Sequence, residues 1–371
     1  MTPRPARQNG EVTRTASEAL AIAAAARVPV LLWGAPGTGK SSAVRAMAER
    51  AGWPCEVVIA SIREPSDFAG LPIVVDGGVR FAAPTWANRL VDAGRGVLFL
   101  DEISTAPPAV QAALLRVVLE RVVGDLRLPD AVAVVAAANP PEQAADGWDL
   151  SAPLANRFCH LPWEVEGRAV VEGLVGGFPA AEVPQLSPGW VQRIPRATAL
   201  VGGFLAARAS LVCAPPTDRA TAGRAWPSPR TWEMAATLVA AAEAAGADAT
   251  VVAMLLRGAV GDGAATEYLT WANALDLPDP EAVLADPSRF TLPERGDRAY
   301  AVLTAVAAAV ATDPTVDRWV AGWRVMARAG ESAPDVAAMA ARILARCRPE
   351  GAAAPPEAKA FLPLLHDAGL L

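Results

Sequence analysis

The sequence has few lysines, and its acidic side chains outnumber its basic ones. Only positions 40 and 359 are lysines, so nearly all other basic side chains among the 371 residues are arginines. The formal net charge is −6 and the isoelectric point is near 5.2. An acidic balance of this kind argues against a surface built for nucleic acid or anionic lipid, although local basic patches can exist.

Cysteines are also few and widely spaced. The absence of any paired spacing among them argues against a metal cluster and against a disulfide framework. They are Cys55, Cys159, Cys213 and Cys347. Cys159 precedes His160, but no further Cys or His lies near this pair in the sequence, so we interpret it as an ordinary strand end. This cysteine usage fits a reducing cytoplasm.

No apolar run approaches the length of a membrane span. The longest runs, residues 20–26 and 301–311, are short and rich in alanine, which is typical of buried helices. The first residues are basic but lead into Gln-Asn-Gly rather than an apolar segment, so we expect no secretory signal. These features predict a cytoplasmic protein.

Strand-like and helix-like segments alternate between Thr15 and Phe158. Such alternation predicts an α/β fold with a central parallel sheet between helices. The strand-like runs are residues 30–33, 55–60, 96–100, 131–137 and 158–162. A passage rich in Pro and Gly, residues 176–190, then leads into wholly helical sequence. We predict three domains, which are residues 1–170, 171–262 and 263–371.

The helical part carries clear end signals. Ser228 is the predicted N-cap of a helix over 229–245, with Pro229 at its first position and Gly246 after its end. Further helices are predicted over 197–211 and over 298–348, the latter broken near 313–314 and 332–334. Trp319 and Trp323 would share one helix face, and we favour core packing over a partner-binding patch for them.

A phosphate-binding loop lies between the first predicted strand and the following helix. Its glycines let successive N–H groups point inward at anionic oxygens, and the helix adds its positive dipole end. Lys40 would reach the terminal phosphates of a bound nucleotide, and the Ser41 hydroxyl would ligate Mg²⁺. The predicted loop residues are Gly34, Ala35, Pro36, Gly37, Thr38, Gly39, Lys40 and Ser41.

Two acids end the apolar strand that begins at Gly96. Asp101 would hold Mg²⁺, partly through water, and Glu102 would polarise the water that attacks the γ-phosphate. Acids at a strand end are also ordinary caps before a helix. The loop and the acids together favour the catalytic interpretation.

Asn139 is the polar residue at the tip of the fourth strand-like run. If that strand lies between those carrying Lys40 and Asp101, the Asn139 amide can hydrogen-bond the attacking water or the γ-phosphate. The alternative is an Asn-Pro turn, which is common at strand ends.

Arg157 and Arg230 are the remaining candidates for residues that contact the γ-phosphate. Arg157 lies before the fifth strand, where it is either a surface ion-pair partner or an arginine finger that reaches a neighbouring subunit's γ-phosphate. Arg230 lies at the start of the helix capped by Ser228, where a positive charge opposes the helix dipole. A bound phosphate would reverse that effect, so we favour a sensor of the γ-phosphate over a solvated arginine.

In this order, the motifs resemble the AAA+ ATPases. Within that family, the segments 64–72, 73–81 and 83–86 look like the helix-2 insert of the MoxR branch, here placed at about 61–90. Residues 104–115 and 119–121 are similar to that branch's sequence after the acidic pair. Asp76-Gly77-Gly78 independently indicates a hairpin turn. The resemblance covers about residues 10–262, with Ser41 in place of the commoner threonine and Asn156 where many relatives have an acid.

The resemblance implies a P-loop AAA+ core, an α-helical lid and a helical C-terminal extension. It further implies a hexameric ring of identical subunits, driven by Mg-ATP, that acts as a chaperone on client proteins. Such machines often work with a partner that carries a von Willebrand factor A domain, and the insert hairpin over 73–81 would face the ring's pore. Its plain interpretation is a structural hairpin.

Two other functions stay open at this point. The first is a nucleic-acid-directed AAA+ motor, against which the acidic balance and the lack of a recognisable DNA-reading module count. The second is a scaffold that binds nucleotide without turnover, against which the presence of both Glu102 and Arg157 counts.

Overall fold

The computed structural model of the protein describes residues 9–140 and 149–363. The chain divides into two compact units, which we describe separately. The first comprises Met1–Ser187 and Cys213–Ala265, and the second comprises Pro188–Val212 and Thr266–Leu371. Part of the predicted lid, residues 188–212, thus belongs to the second unit, and the division into three domains stays a prediction.

Helices and strands alternate through the first part of the chain and give way to helices. The elements up to residue 176 are α1 (Asn9–Ala25), β1 (Val30–Trp33), α2 (Lys40–Arg50), β2 (Cys55–Ile59), α3 (Ser66–Ala69), β3 (Leu71–Val75), β4 (Gly78–Ala82), α4 (Thr85–Ala93), β5 (Gly96–Asp101), α5 (Pro108–Glu120), β6 (Val122–Val123), β7 (Leu126–Arg127), β8 (Val132–Ala138), α6 (Ala152–Ala155), β9 (Cys159–Pro162) and α7 (Gly167–Gly176). The later ones are α8 (Ile194–Ala207), α9 (Arg219–Ala222), α10 (Pro229–Ala245), α11 (Ala249–Val260), α12 (Asp262–Asn273), α13 (Pro280–Ala285), α14 (Gly296–Thr312), α15 (Val316–Gly330) and α16 (Pro334–Arg346).

The first unit is built on a five-stranded parallel sheet with the order β2-β5-β8-β1-β9. Its central strands are continuous apolar runs: every residue of β1 and of β8 is buried. Strands covered on both faces read as unbroken hydrophobic runs, which is why the sequence indicated them clearly. The predicted parallel sheet is confirmed, with β8 lying between β5 and β1. The carboxyl ends of these three strands therefore meet at one edge.

The predicted insert hairpin is formed by β3 and β4, which pair antiparallel with Val74 opposite Val79. Asp76 and Gly77 form its two-residue turn, and both have positive φ, of 51° and 77°. This is the backbone that a tight hairpin requires and that Asp-Gly sequences supply. Both strands are largely exposed.

Helices of the first unit cover the sheet. Among them, α10 begins and ends at the residues that the sequence predicted. The Ser228 hydroxyl accepts a hydrogen bond from the Thr231 N–H, and the Thr231 side chain accepts one from the Ser228 N–H in return. Gly246 ends the helix in the left-handed conformation. The next helix, α11, packs directly on β9.

The second unit is helical, and α14 lies at its centre between α8 and α16. Trp319 and Trp323 of α15 are 2% and 1% exposed and pack edge to face with ring centroids 6.0 Å apart, which confirms their predicted core role. The predicted breaks separate α14, α15 and α16. The helix predicted over 197–211 instead spans Ile194–Ala207 and is followed by a 3₁₀ turn. Across residues 9–140 and 149–363, no helix combines the length and apolarity that a bilayer crossing requires.

Candidate nucleotide-binding site

The loop between β1 and α2 has the geometry of a phosphate cradle. Gly37 and Gly39 have φ of 76° and 82°, which L side chains rarely adopt. The Thr38 hydroxyl donates to the Ala35 carbonyl at 2.7 Å, and the Gly34 N–H donates to the Ala138 carbonyl of β8 at 3.2 Å. The loop is thus bonded to the sheet at its start, and the two glycines permit the curled backbone at its centre.

Lys40 is 8% exposed and is held by three oxygen atoms. Its ammonium donates to the carbonyls of Gly34 at 2.6 Å and Ala35 at 2.9 Å, and to the Asn139 side-chain oxygen at 3.0 Å. Burial lowers the pKa of Lys40, while the nearby Asp101 carboxylate acts in the opposite direction. A cation stabilised only by neutral carbonyls and one acid is well placed to exchange these partners for phosphate oxygens.

Ser41 and Asp101 meet across the strand ends. The Ser41 hydroxyl donates to a carboxylate oxygen of Asp101 at 2.7 Å, and the other carboxylate oxygen accepts the Glu102 N–H at 3.0 Å. A hydroxyl and a carboxylate in contact provide the hard oxygen donors that Mg²⁺ prefers. This donor set fits the predicted ion.

Glu102 has a partner that the sequence did not reveal. The Ser61 hydroxyl donates to its carboxylate at 2.6 Å. Ser61 lies just beyond β2, and β2 pairs with β5, so the strand order brings the two residues together. Glu102 also has a φ of 56°, in the left-handed region that is costly for a residue with a side chain. In the sequence, the one signal for this hydrogen bond is that a serine directly follows the second strand-like run.

These groups line one cavity of about 340 Å³. Its size falls within the range of small-molecule sites, and among the described residues that line it Lys40 is the only cation. The lining residues are Pro36, Gly37, Thr38, Gly39, Lys40, Ser41, Ser42, Asp101, Glu102, Ala137 and Asn139. The structure therefore brings the predicted loop, both strand-end acids and Asn139 to a single site.

Arg157 and Arg230 do not line this cavity. The Arg157 side chain donates to the Pro153 carbonyl, while its buried Nε has no partner among the described residues. Burial and the like charge of Arg230 lower the pKa of Arg157. Arg230 is exposed. The two arginines lie close enough to repel each other.

Aromatic side chains hold the loop from the β9 side. The indole N–H of Trp163 donates to the Thr38 carbonyl at 3.2 Å, and that of Trp33 donates to His160 Nδ1 at 2.8 Å. The guanidinium of Arg224 lies 3.7 Å from the centre of the Trp33 ring. These supports were not found from the sequence, because each joins residues far apart in the chain.

Cys159 and His160 point to different surroundings. Cys159 lies against α11, with its sulfur 3.6 Å from the Leu255 carbonyl. His160 accepts from Trp33 and bonds the Ala155 carbonyl through Nε2 at 2.9 Å. No group of three or more metal-ligating side chains occurs in the part of the chain that the structure describes. The interpretation of this pair as an ordinary strand end stays a prediction.

Comparison with known proteins finds similarity over part of the chain. The AAA domain of the dynein-related subfamily matches residues 29–158. The Nif-specific regulatory protein of Rhodobacter capsulatus is 35% identical over 152 residues, covering 38% of this chain and 26% of that protein. The transcriptional regulatory protein XylR of Pseudomonas putida is 36% identical over 130 residues, covering 33% of this chain and 23% of that protein. The chain spans about a quarter of the length of these curated relatives.

Solved structures are similar at lower identity. A proposed ATPase from Cytophaga hutchinsonii aligns with 68% of this chain and 85% of its own length, at 18% identity and a TM-score of 0.40. A full-length MCM homologue from Methanopyrus kandleri covers 70% of this chain and 63% of its own, with the same identity and TM-score. The domain match and the sheet order identify the α/β fold as a P-loop AAA+ fold, as predicted. Membership of the MoxR branch stays a prediction.

Proposed function

We propose that this chain, whose residues 29–158 match an AAA domain, binds Mg-ATP at the loop between β1 and α2 and hydrolyses it within a ring of identical subunits. The observation that carries the proposal is the meeting of Lys40, the Ser41–Asp101 pair, Glu102 and Asn139 around one cavity. Each of these groups has a distinct part in phosphoryl transfer to water.

The residues divide this chemistry as follows. Lys40 would exchange its carbonyl partners for phosphate oxygens. Ser41 and Asp101 would hold Mg²⁺, which when bound neutralises phosphate charge. Glu102, once released by Ser61, would polarise the attacking water. The Asn139 side-chain oxygen accepts from Lys40 in the structure, which leaves its NH₂ group to donate to the γ-phosphate or the water.

A second copy of the chain would complete this site. Arg157 and Arg230 do not line the cavity of their own subunit, yet in related phosphoryl-transfer sites an arginine adds to the loop lysine and Mg²⁺ in stabilising the developing charge. We assign Arg157 as the finger that a neighbouring subunit supplies and Arg230 as the sensor beside it. In a closed head-to-tail ring every subunit can both receive and supply these groups, and we propose that the ring is a hexamer.

The client-facing element in this proposal is the hairpin of β3 and β4. Val74, Val79 and Phe81 are 79%, 64% and 43% exposed. Apolar side chains exposed together are costly unless something covers them part of the time. The proposal therefore includes a MoxR-type chaperone role, in which this hairpin contacts a client protein and a partner with a von Willebrand factor A domain assists.

A subunit-mixing experiment tests the shared site. Lys40→Ala should lose ATP binding, and Arg157→Ala should bind ATP without hydrolysing it. A 1:1 mixture should regain about a quarter of the wild-type phosphate release, because that fraction of sites pairs an intact loop with an intact neighbouring arginine. Lys359→Ala, which changes the other lysine, serves as the control and should match the wild type.

The same assay separates the alternatives. Absence of rescue at every mixing ratio would contradict the shared site. ATP binding without phosphate release by the wild type would favour a nucleotide-binding scaffold. Release that DNA stimulates and that falls steeply with salt would favour a nucleic-acid motor.

A trapped variant tests the client role. Glu102→Gln should keep ATP affinity and slow hydrolysis by about a hundredfold, because an amide cannot take a proton from water. In ATP, this variant should retain an unfolded model protein on size-exclusion chromatography. Adding Val74→Ser and Val79→Ser should abolish retention, whereas Val171→Ser, at another exposed valine, should not. Equal retention by all three would remove the hairpin from the proposal.

A further inference from the structure

Asn156 joins α6 to the start of α10 through both ends of its amide. It is 3% exposed. Its side-chain oxygen accepts from the Ser228 hydroxyl at 2.8 Å, and its NH₂ group donates to the Trp226 carbonyl at 3.2 Å. Ser228 is itself 6% exposed. A buried amide with one donor and one acceptor satisfied in this way fixes the two segments in one register.

The two bonded residues flank the arginines outside the cavity. Arg157 directly follows Asn156, and Arg230 follows Ser228 by two positions on the first turn of α10. The link therefore fixes the two backbone positions from which the side chains of Arg157 and Arg230 extend. The sequence separates Asn156 from Ser228 by 72 residues, so no local preference does this.

The arrangement that Asn156 maintains is unfavourable by itself. Arg157 and Arg230 carry like charges, and the buried Nε of Arg157 has no partner among the described residues. Arg230 additionally opposes the dipole of α10. Neither arginine has an acidic partner among the residues that the structure describes, and two such cations near one helix start are stabilised when one anion contacts both.

We propose that Asn156 is a positioning residue that holds Arg157 and Arg230 side by side, so that both contact the terminal phosphates of a nucleotide bound by the neighbouring subunit. This inference rests on the proposed function, and it adds the residue that sets the arginine geometry. Asn156 itself contacts no phosphate.

The chemistry of the link requires an amide. A carboxylate of the same shape can accept from Ser228, but it cannot donate to the Trp226 carbonyl and would face that oxygen with a like charge. Asn156→Asp therefore breaks one half of the link with almost no change in volume. Ser228→Gly tests the link from the other side, because glycine remains a tolerated N-cap while the hydroxyl is lost.

The experiment compares these variants with Thr231→Val, which loses the other hydrogen bonds of the same helix start and leaves Asn156 with both partners. We expect Asn156→Asp and Ser228→Gly to slow phosphate release about tenfold or more, towards the rate of Arg157→Ala, with affinity for a fluorescent ATP analogue unchanged. Thr231→Val should stay within about twofold of the wild type at a similar loss of melting temperature. In an Arg157→Ala background, Asn156→Asp should add nothing.

The outcomes separate the two claims. If Arg157→Ala slows hydrolysis while Asn156→Asp and Ser228→Gly slow it no more than Thr231→Val, the positioning role is wrong and the proposed function stands. If Arg157→Ala leaves hydrolysis unchanged, Arg157 is not an arginine finger and this part of the proposed function is wrong. Should Asn156→Asp not fold, the comparison of Ser228→Gly with Thr231→Val decides the positioning role alone.

Discussion

At the scale of single residues, each reactive group of the site is occupied by a protein partner. Lys40 contacts loop carbonyls, Ser41 contacts Asp101, and Glu102 accepts from Ser61. Each partner holds the side chain near the place where a phosphate, a cation or a water would take over. Such preorganisation lowers the cost of ordering the site when nucleotide binds.

Ser61 donates a hydrogen bond to the Glu102 carboxylate, and we expect this bond to restrain hydrolysis in the absence of a client. Its hydrogen bond to a carboxylate contributes roughly 1–2 kcal/mol, which corresponds to about a fivefold to thirtyfold preference for the held state. Ser61→Ala should therefore raise phosphate release without client several-fold and leave ATP affinity unchanged. Ser61→Thr, which keeps a hydroxyl, should behave like the wild type in the same assay. A slower Ser61→Ala enzyme would mean that Ser61 orients Glu102 for catalysis instead.

At the scale of elements, the sheet order decides which strand ends cooperate. The segments that form β1, β5 and β8 were all predicted from their apolar runs, and their placement beside one another was a condition of the Asn139 prediction. That condition is met because β8 lies between the other two. The ends of α10 were predicted to the residue, since capping depends on neighbours a few positions away. The start of α8 was not predicted correctly, because no side chain caps this helix.

The contact between α11 and β9 depends on one glycine. A Cβ at Gly258 would lie 2.5 Å from the His160 carbonyl and 2.7 Å from the Cys159 sulfur. Gly258→Ala should therefore lower the free energy of unfolding by about 1–3 kcal/mol, despite the better helix propensity of alanine. Gly263→Ala is the matched control, because a Cβ there meets no atom within 4 Å. Urea unfolding of both variants provides the measurement, and equal stabilities would contradict the close packing.

At the scale of the whole molecule, His160 makes stability depend on pH. Burial, with a smaller contribution from Arg224, lowers its pKa to about 4, against the opposing hydrogen bond to Ala155. The unfolded chain takes up this proton near pH 6.5, so the folded state is favoured fully above that pH and loses stability as pH falls towards 4.

Replacing His160 separates its contribution to the pH dependence of stability from the contribution of the carboxylates. The wild type should lose about 2 kcal/mol more of its unfolding free energy between pH 7 and pH 5 than His160→Gln, in which the amide can keep both hydrogen bonds. Urea denaturation at the two pH values measures the difference. Parallel losses in both proteins would show that His160 is protonated in the folded state.

Features that depend on near neighbours in the chain could be predicted from the residues alone. The loop glycines, Lys40, the acids ending β5 and the cap of α10 follow from backbone and charge preferences over a few residues. These patterns were sufficient to predict the α/β fold and the residues around the cavity.

Contacts between side chains that are distant in the chain could be identified only from the tertiary structure. Ser61 meets Glu102 across 41 residues, Asn156 meets Ser228 across 72, and Trp163 meets Thr38 across 125. Contacts of this kind depend on strand order and on how helices lie against the sheet, and a serine or an asparagine carries no local mark of its partner. The backbone positions of Arg157 and Arg230 depend on such contacts, because residues far apart in the chain can meet only after the sheet and helices have packed.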